Sequence, residues 1–271
     1  MTKIILDEIG YARKLLEDLA KNPARRLDKK PSRDLSYIAR YLGQEEELSQ
    51  EAVYQRLKEL MHNHYPAFNP NAWHGLLDDL SKKCLERRLL TLSYIPVYES
   101  ELAKIDALKR KPIRRLAFTL LCLARYRLCA LPSNNGWINY PYKDIFRLAN
   151  INATVREQCL MIKELISLDY LHMNQIVDNL SLQILYLDTQ NDASPRLKIT
   201  EFTNLGYEYL LYCGEPYFRC QSCRILSKKT ATNNRYCKSC RDSIRKERSR
   251  SGMKNLRESR AVNSQYHPQS Q

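Results

Sequence analysis

Glycine is the scarcest structural resource in this chain, and its scarcity limits the available folds. The seven glycines among 271 residues are Gly10, Gly43, Gly75, Gly136, Gly206, Gly214 and Gly252, and no two are close together. A G-x-G-x-x-G turn and a P-loop both need clustered glycines so that the backbone can approach a phosphate. Rossmann-type dinucleotide enzymes and P-loop NTPases are therefore excluded. Hairpin-rich all-β folds are disfavoured too, because their tight turns need residues at positive φ. Near-normal apolar content then points to a mainly α, globular chain.

Cysteine, at nine residues, outnumbers glycine. The first thirty residues carry charges of both signs and lack the apolar run of a signal peptide. The longest uncharged apolar run, Leu116 to Ala124, is too short for the roughly 20 residues a bilayer demands. These features lead to the expectation of a cytoplasmic protein with no membrane partner, whose cysteines are thiols or metal ligands and not disulfides.

The charge is concentrated near the C-terminus. Thirteen of the 44 Lys and Arg residues lie between Arg224 and Arg260, opposed only by Asp242, Glu247 and Glu258. That segment carries +10 of the formal +14. Such a patch attracts polyanions, because neutralising phosphates releases condensed counterions. Lys228, Lys229, Arg235, Lys238, Arg241, Arg245, Lys246, Arg248, Arg250 and Lys254 are the candidate phosphate contacts. The competing reading is a solvated, solubilising helix face. Arg241, Arg245 and Arg248 recur at i, i+4 and i+7, which puts them on one face of a helix.

The cysteines fall into two classes. Cys84, Cys122, Cys129 and Cys159 sit among Leu, Ile and Ala at helical spacing, where a thiol behaves as a small core hydrophobe. Cys213 stands apart, and its relation to the following cluster is left open. Cys220-Gln221-Ser222-Cys223 and Cys237-Lys238-Ser239-Cys240 are two C-x-x-C pairs separated by thirteen residues. Each pair can present two thiolates to one ion, and two pairs complete the tetrahedron that zinc prefers. One structural Zn²⁺ held by Cys220, Cys223, Cys237 and Cys240 is expected, with an iron–sulfur centre or a redox dithiol as the alternatives. A closed four-thiolate shell leaves no position for catalytic water. The pattern resembles zinc-ribbon or treble-clef fingers, although Arg224 and Arg241 stand where the commonest knuckle has glycine. The basic stretch after Cys240 slightly favours a treble clef.

The middle of the chain resembles a winged helix-turn-helix in its element order. A buried helix over Arg114 to Leu128 is followed by the turn Pro132 to Gly136 and a strand at Trp137 to Tyr140. Helices are expected at Asp144 to Ala149 and Thr154 to Leu168, the latter with Val155, Cys159, Ile162, Leu165 and Ile166 inward. Strands follow at Tyr170 to Met173, Leu180 to Leu187 and Leu197 to Thr200. The resemblance implies that the Thr154 helix is the recognition helix, with Asn152, Thr154, Arg156, Gln158 and Lys163 outward. Arg156 and Gln158 are the candidates for base edges. The competing use of such a domain is protein docking or dimerisation.

The N-terminal region carries four apolar stripes at helical spacing. Asn71 is a candidate N-cap for the fourth, which contains Trp73, Leu76, Leu77, Leu80 and Leu85. A helical bundle is preferred there over a second helix-turn-helix around Tyr37 to Leu57. His62-Asn63-His64 spells a nuclease name without the ββα context of that family. His62, His64 and His74 with Cys84 are a minor alternative as a second metal site. Neither H-E-x-x-H nor G-x-S-x-G occurs, and no dense acidic set is present to hold Mg²⁺.

The run Leu116 to Ala124, then Gly136-Trp137-Ile138-Asn139, Asn204 to Leu210, and the two C-x-x-C pairs with Tyr236 before the third cysteine, resembles uncharacterised zinc-finger proteins of phages and mobile elements of Gram-positive bacteria. The resemblance implies a bacterial cytoplasmic setting and carries no activity. Four segments are expected: a helical domain (1–110), a winged-helix-like domain (111–212), a four-cysteine zinc finger with basic helix (213–260) and a disordered tail (261–271). The expected function is non-enzymatic nucleic-acid binding, DNA ahead of RNA, in regulation or replication. The alternatives are an adaptor that binds a protein complex through the winged helix or N-terminal helices, an RNA-binding protein, and, last, a nuclease.

Overall fold

The computed structural model describes residues 4–176, 179–189 and 193–265. The fold is mainly helical, with ten helices and seven short strands among the described residues. The chain forms two compact units: residues 1–99, 124–137 and 187–202, and residues 100–123, 138–186 and 203–271. The boundaries expected at 110, 212 and 260 follow motifs, whereas these units follow packing.

The first unit begins with α1 (Glu8–Lys21), α2 (Ser32–Gln44), α3 (Gln50–His64) and α4 (Pro70–Lys82). Asp7 caps α1 by accepting from the Gly10 N–H, and Ser49 caps α3 through the Ala52 N–H. Asn69, not the expected Asn71, caps α4, accepting from the Asn71 and Ala72 N–H groups at 3.0 and 3.4 Å. Pro70 fixes this start, since the first helical turn does not use its missing N–H. The helix ends at Lys82, so Leu85 lies outside it and is exposed.

The apolar stripes meet in one core that includes Leu19, Leu35, Ile38, Leu42, Val53, Leu57, Met61, Leu77 and Cys84. Within it, the Glu8 carboxylate takes a hydrogen bond from Arg40 at 3.0 Å and another from the Leu90 N–H at 3.0 Å, with both side chains buried. A buried carboxylate is tolerated because its partners are supplied. The histidines of this unit have structural surroundings. His64 lies 3.0 Å from the Arg25 carbonyl, and His74 lies 2.8 Å from the Tyr54 hydroxyl.

β1 (Ile95–Val97) belongs to this unit, and α5 (Glu99–Asp106) opens the next. In α6 (Lys111–Ala130), the run Leu116 to Ala124 is completely buried, as its uninterrupted apolar character requires. Then come β2 (Trp137–Ile138), α7 (Tyr142–Leu148), α8 (Val155–Ser167), β3 (Leu171–Ile176) and β4 (Asn179–Ile184). Their sheet has the order β2-β4-β3, with β3 and β4 antiparallel and Leu171 opposite Ile184. β5 (Leu197–Ile199) does not close this series as expected. It pairs antiparallel with β1 in the first unit, Ile95 opposite Ile199. The alternation that marked β5 as a strand contained no information about its partner.

The second unit continues with α9 (Leu205–Tyr212), β6 (Tyr217–Arg219), β7 (Leu226–Lys228) and α10 (Lys238–Gln265). α9 approaches the end of α7 closely. A Cβ at Gly206 would lie 1.9 Å from the Ala149 carbonyl oxygen, so only glycine fits. Asn150 follows in the left-handed region at φ 54°. Its amide donates to Asn204 Oδ1 at 2.8 Å and accepts from the Tyr207 N–H at 3.3 Å, which ties the two helix ends. Tyr186 is buried and donates from its hydroxyl to the Ala117 carbonyl at 2.6 Å. α10 runs past Arg260, through residues expected to be disordered from Ala261; residues 266–271 of that tail lie outside the described residues.

Candidate metal centre and basic helix

The two C-x-x-C pairs converge. The sulfurs of Cys220, Cys223, Cys237 and Cys240 all lie within 4.8 Å of one another, and those of Cys223 and Cys237 are 3.6 Å apart. All four are free thiols. With Zn–S bonds of about 2.3 Å, the edge of a regular tetrahedron is about 3.8 Å. The cluster therefore has the size of a four-thiolate metal shell. Among the described residues it is the only group of His, Cys, Asp and Glu with that property. His62, His64, His74 and Cys84 do not form a second one. Cys213 is exposed and outside the cluster.

Local backbone chemistry builds the shell. The β6–β7 hairpin carries Cys220 just after its first strand, and the Cys220 N–H donates to the Ile225 carbonyl at 3.0 Å. The Arg224 N–H closes the knuckle on the Cys220 carbonyl at 2.9 Å. Arg224 sits at φ 61°, the left-handed conformation that glycine usually fills. The Gln221 N–H donates to the Arg235 carbonyl at 2.9 Å, which joins the first pair to the second. The Arg241 N–H donates to the Cys237 carbonyl at 2.9 Å, so the second pair is wound into the start of α10.

Burial acts to raise the Cys220 thiol, but N–H groups of Cys223, Cys237 and Ser222 outweigh it and bring the thiol down to about 6. Against the Ile225 N–H, which lowers it, burial and the neighbouring sulfurs push Cys223 up to about 12.

The module is fastened to α9. Arg219, one residue before Cys220, donates from one nitrogen to both Glu208 oxygens at 2.7 Å. The Tyr207 and Tyr217 rings stack with centroids 4.8 Å apart. The module's own buried residues are few, Cys220 and Leu226 between Tyr217 and Cys240. These attachments and the sulfur shell take the place of a core.

Lys228 and Lys229 lie at the end of β7 and just beyond it, Arg235 precedes Tyr236, and Lys238, Arg241, Arg245, Lys246, Arg248 and Arg250 project from α10. All are exposed. The side chain of Lys254 lies outside those described. Arg245, Lys246 and Arg250 border one groove with Asp242 and Ser249. Arg241, Arg245 and Arg248 border another with Tyr236 and Ile244. Among the described side chains of α10, which reach Met253, no ion pair forms. A helix polar on every side, with like charges at i, i+4 such as Arg241–Arg245 and Lys246–Arg250, repels itself.

α8 differs from expectation. Thr154 is its N-cap and forms a capping box with Glu157. Gln158 donates its amide to the Ala153 carbonyl at 2.9 Å, so that donor is already used. Arg156 and Lys163 are exposed. Val155, expected inward, is 73% exposed because it occupies the first turn ahead of the buried Ile162 and Leu165. Leu160 is 56% exposed. Cys122 is buried as expected, while Cys129 and Cys159 are half-buried. The tip of the wing expected between Asn174 and Asn179, residues 177–178, lies outside the described residues.

Sequence reasoning missed three things here: the Glu208–Arg219 fastening, the apolar exposure of α8, and Tyr236 as a member of the basic groove. Only the last had a signal, an aromatic residue adjacent to a cysteine of the C-x-x-C pair and surrounded by cations. Comparisons with protein-family models, curated proteins and solved structures found no match for the chain. No helix among the described residues is long and apolar enough to cross a membrane.

Proposed function

We propose that this chain is a non-enzymatic, zinc-containing nucleic-acid-binding protein, with DNA favoured over RNA. The observation that carries the reading is the continuity of two features: the last ligand, Cys240, lies in the first turn of the helix that bears the densest positive charge. The zinc is held by Cys220, Cys223, Cys237 and Cys240, in a treble-clef-like order of hairpin followed by helix. It would supply folding free energy to a segment with almost no core. Arg241, Arg245, Lys246, Arg248 and Arg250 contact phosphates without regard to sequence.

The α6–β2–α7–α8–β3–β4 order with sheet order β2-β4-β3 supports a winged helix. Arg156 is its remaining candidate for a base edge and Lys163 a backbone contact. A role in regulation or replication, in the cytoplasm of a bacterium carrying a phage or mobile element, belongs to the same proposal.

One observation favours a second reading. Val155 and Leu160 expose apolar surface on α8 where a DNA-reading helix would be polar, and the Gln158 amide is turned to the Ala153 carbonyl. An adaptor that docks a protein through α8, with the basic helix assisting, accounts for this.

The test uses the full chain with Arg241, Arg245, Arg248 and Arg250 changed to Gln. If these four neutralise phosphates, the slope of log affinity against log salt on duplex DNA should shrink by about 3 to 4. An unchanged slope with retained zinc would refute the phosphate assignment. Leu160→Asp separates the readings: it should leave DNA affinity within about twofold if α10 dominates, and abolish a protein complex if α8 docks one.

A further inference from the structure

The groove beside Tyr236 differs from the rest of the basic surface. It is a cleft of about 290 Å³ lined by Tyr236, Arg241, Ile244, Arg245, Arg248 and Ser249. Tyr236 is 38% exposed. Among the described residues it makes no hydrogen bond or ring contact, unlike Tyr207 and Tyr217 of the same unit, which stack on each other. Its position in the chain makes it rigid: Arg235, before it, is tied to Gln221, and Cys237, after it, is in the sulfur cluster. An aromatic face is thus held at the rim of a groove whose other side is three arginines at i, i+4 and i+7.

Phosphate binding alone does not require such a face. A ring held open beside guanidinium groups matches a planar, electron-rich partner that carries its own negative charge. A nucleobase attached to its phosphate has both properties. In a duplex the faces of the bases are covered by their neighbours, so the ring reaches one only where the strand is unpaired.

Building on the nucleic-acid reading above, we infer that the cleft between Tyr236 and α10 is a subsite for one unpaired base of single-stranded nucleic acid. The base stacks on Tyr236 against Ile244, and Arg241, Arg245 and Arg248 hold the flanking phosphates. Stacking is indifferent to the sugar, so DNA and RNA strands share this chemistry.

The experiment compares the zinc-loaded full chain with Tyr236→Ala, Tyr236→Leu and Tyr236→Phe. Anisotropy is read on oligo-dT, oligo-U and the oligo-dT·oligo-dA duplex at several salt concentrations, with zinc content measured for each protein. Tyr236→Ala and Tyr236→Leu should weaken both single strands by about five- to a hundredfold, the loss of one stacked base. Tyr236→Phe should retain the affinity, and duplex affinity and salt slope should not move. Equal affinity for oligo-dT and oligo-U supports recognition by stacking. Unchanged strand affinity in zinc-replete Tyr236→Leu would overturn the inference, as would equal losses on strand and duplex. If the unaltered protein shows no salt-dependent binding to strand or duplex, the nucleic-acid reading itself fails, a result distinct from either.

Discussion

Gly206→Ala offers a severe check on the packing that carries the metal module. The added methyl would lie 1.9 Å from the Ala149 carbonyl oxygen and 2.5 Å from its carbon, both backbone atoms. No side-chain rotation can relieve this contact, so α9 must move by about 1.5 Å or the α7 end must deform, a severe case of overpacking that costs roughly 1–3 kcal/mol. Movement also stretches the Tyr207–Asn150 and Asn150–Asn204 hydrogen bonds, at about 1 kcal/mol for each bond lost. Against this, alanine gains about 1 kcal/mol over glycine in a helix. The net local destabilisation is about 2–4 kcal/mol, which should speed amide exchange across residues 204–212 by roughly 30- to 900-fold. Hydrogen-exchange mass spectrometry resolves this from the rest of the chain. Gly75→Ala is the control: nothing lies within 4 Å of its added carbon, so exchange in α4 should slow by up to about fivefold. Equal or greater protection of α9 in Gly206→Ala would refute the close-approach argument.

Three other outcomes follow from named residues. Arg224→Gly removes a left-handed arginine that costs about 1–2 kcal/mol, less the entropy glycine loses, so zinc should be lost more slowly to a competing chelator; faster loss would contradict the strain. Burial holds Tyr186 well above its ordinary pKa, so the folded protein keeps a proton that the unfolded chain releases near pH 10. Stability from this group is complete below that pH and falls as pH rises through it; Tyr186→Phe should flatten the alkaline loss, and an equally steep loss in the variant would refute the assignment. Because α10 repels itself, its helical circular dichroism should rise with added salt or polyphosphate. A flat or falling signal would mean that like-charge contacts do not limit the helix.

The legible parts of this molecule were those governed by local rules. Two C-x-x-C pairs identify the four sulfurs because the chain between ligands is too short for other arrangements. The buried run in α6 and the helix start at Thr154 follow from chemistry acting over three or four residues, whereas the cap of α4 is Asn69, two residues before the expected Asn71. What could not be read depends on distant partners. β5 alternates like any short strand, and only the folded chain pairs it with β1, a hundred residues earlier. Val155 is apolar and sits in phase with the core face, yet the first turn of α8 begins outside the core. Glu208 and Arg219 are eleven residues apart, and a charge pair at that spacing has no periodic signature. Gln158 is a plausible reader of adenine until its amide is seen on the Ala153 carbonyl.

The joint between the sulfur cluster and α10 has a mechanical consequence. Twenty-eight residues from Lys238 to Gln265 form one helix whose first turn contains Cys240 of the sulfur cluster. At 1.5 Å per residue this is a rod of about 42 Å, and a tilt of only 10° at its root would sweep the far end through about 7 Å. A change at the four sulfur atoms that tilted the helix by this much would displace its far end by as much as the spacing of successive phosphates. The aim of the positive charge on α10 therefore depends on how firmly the Cys237–Cys240 turn holds its root.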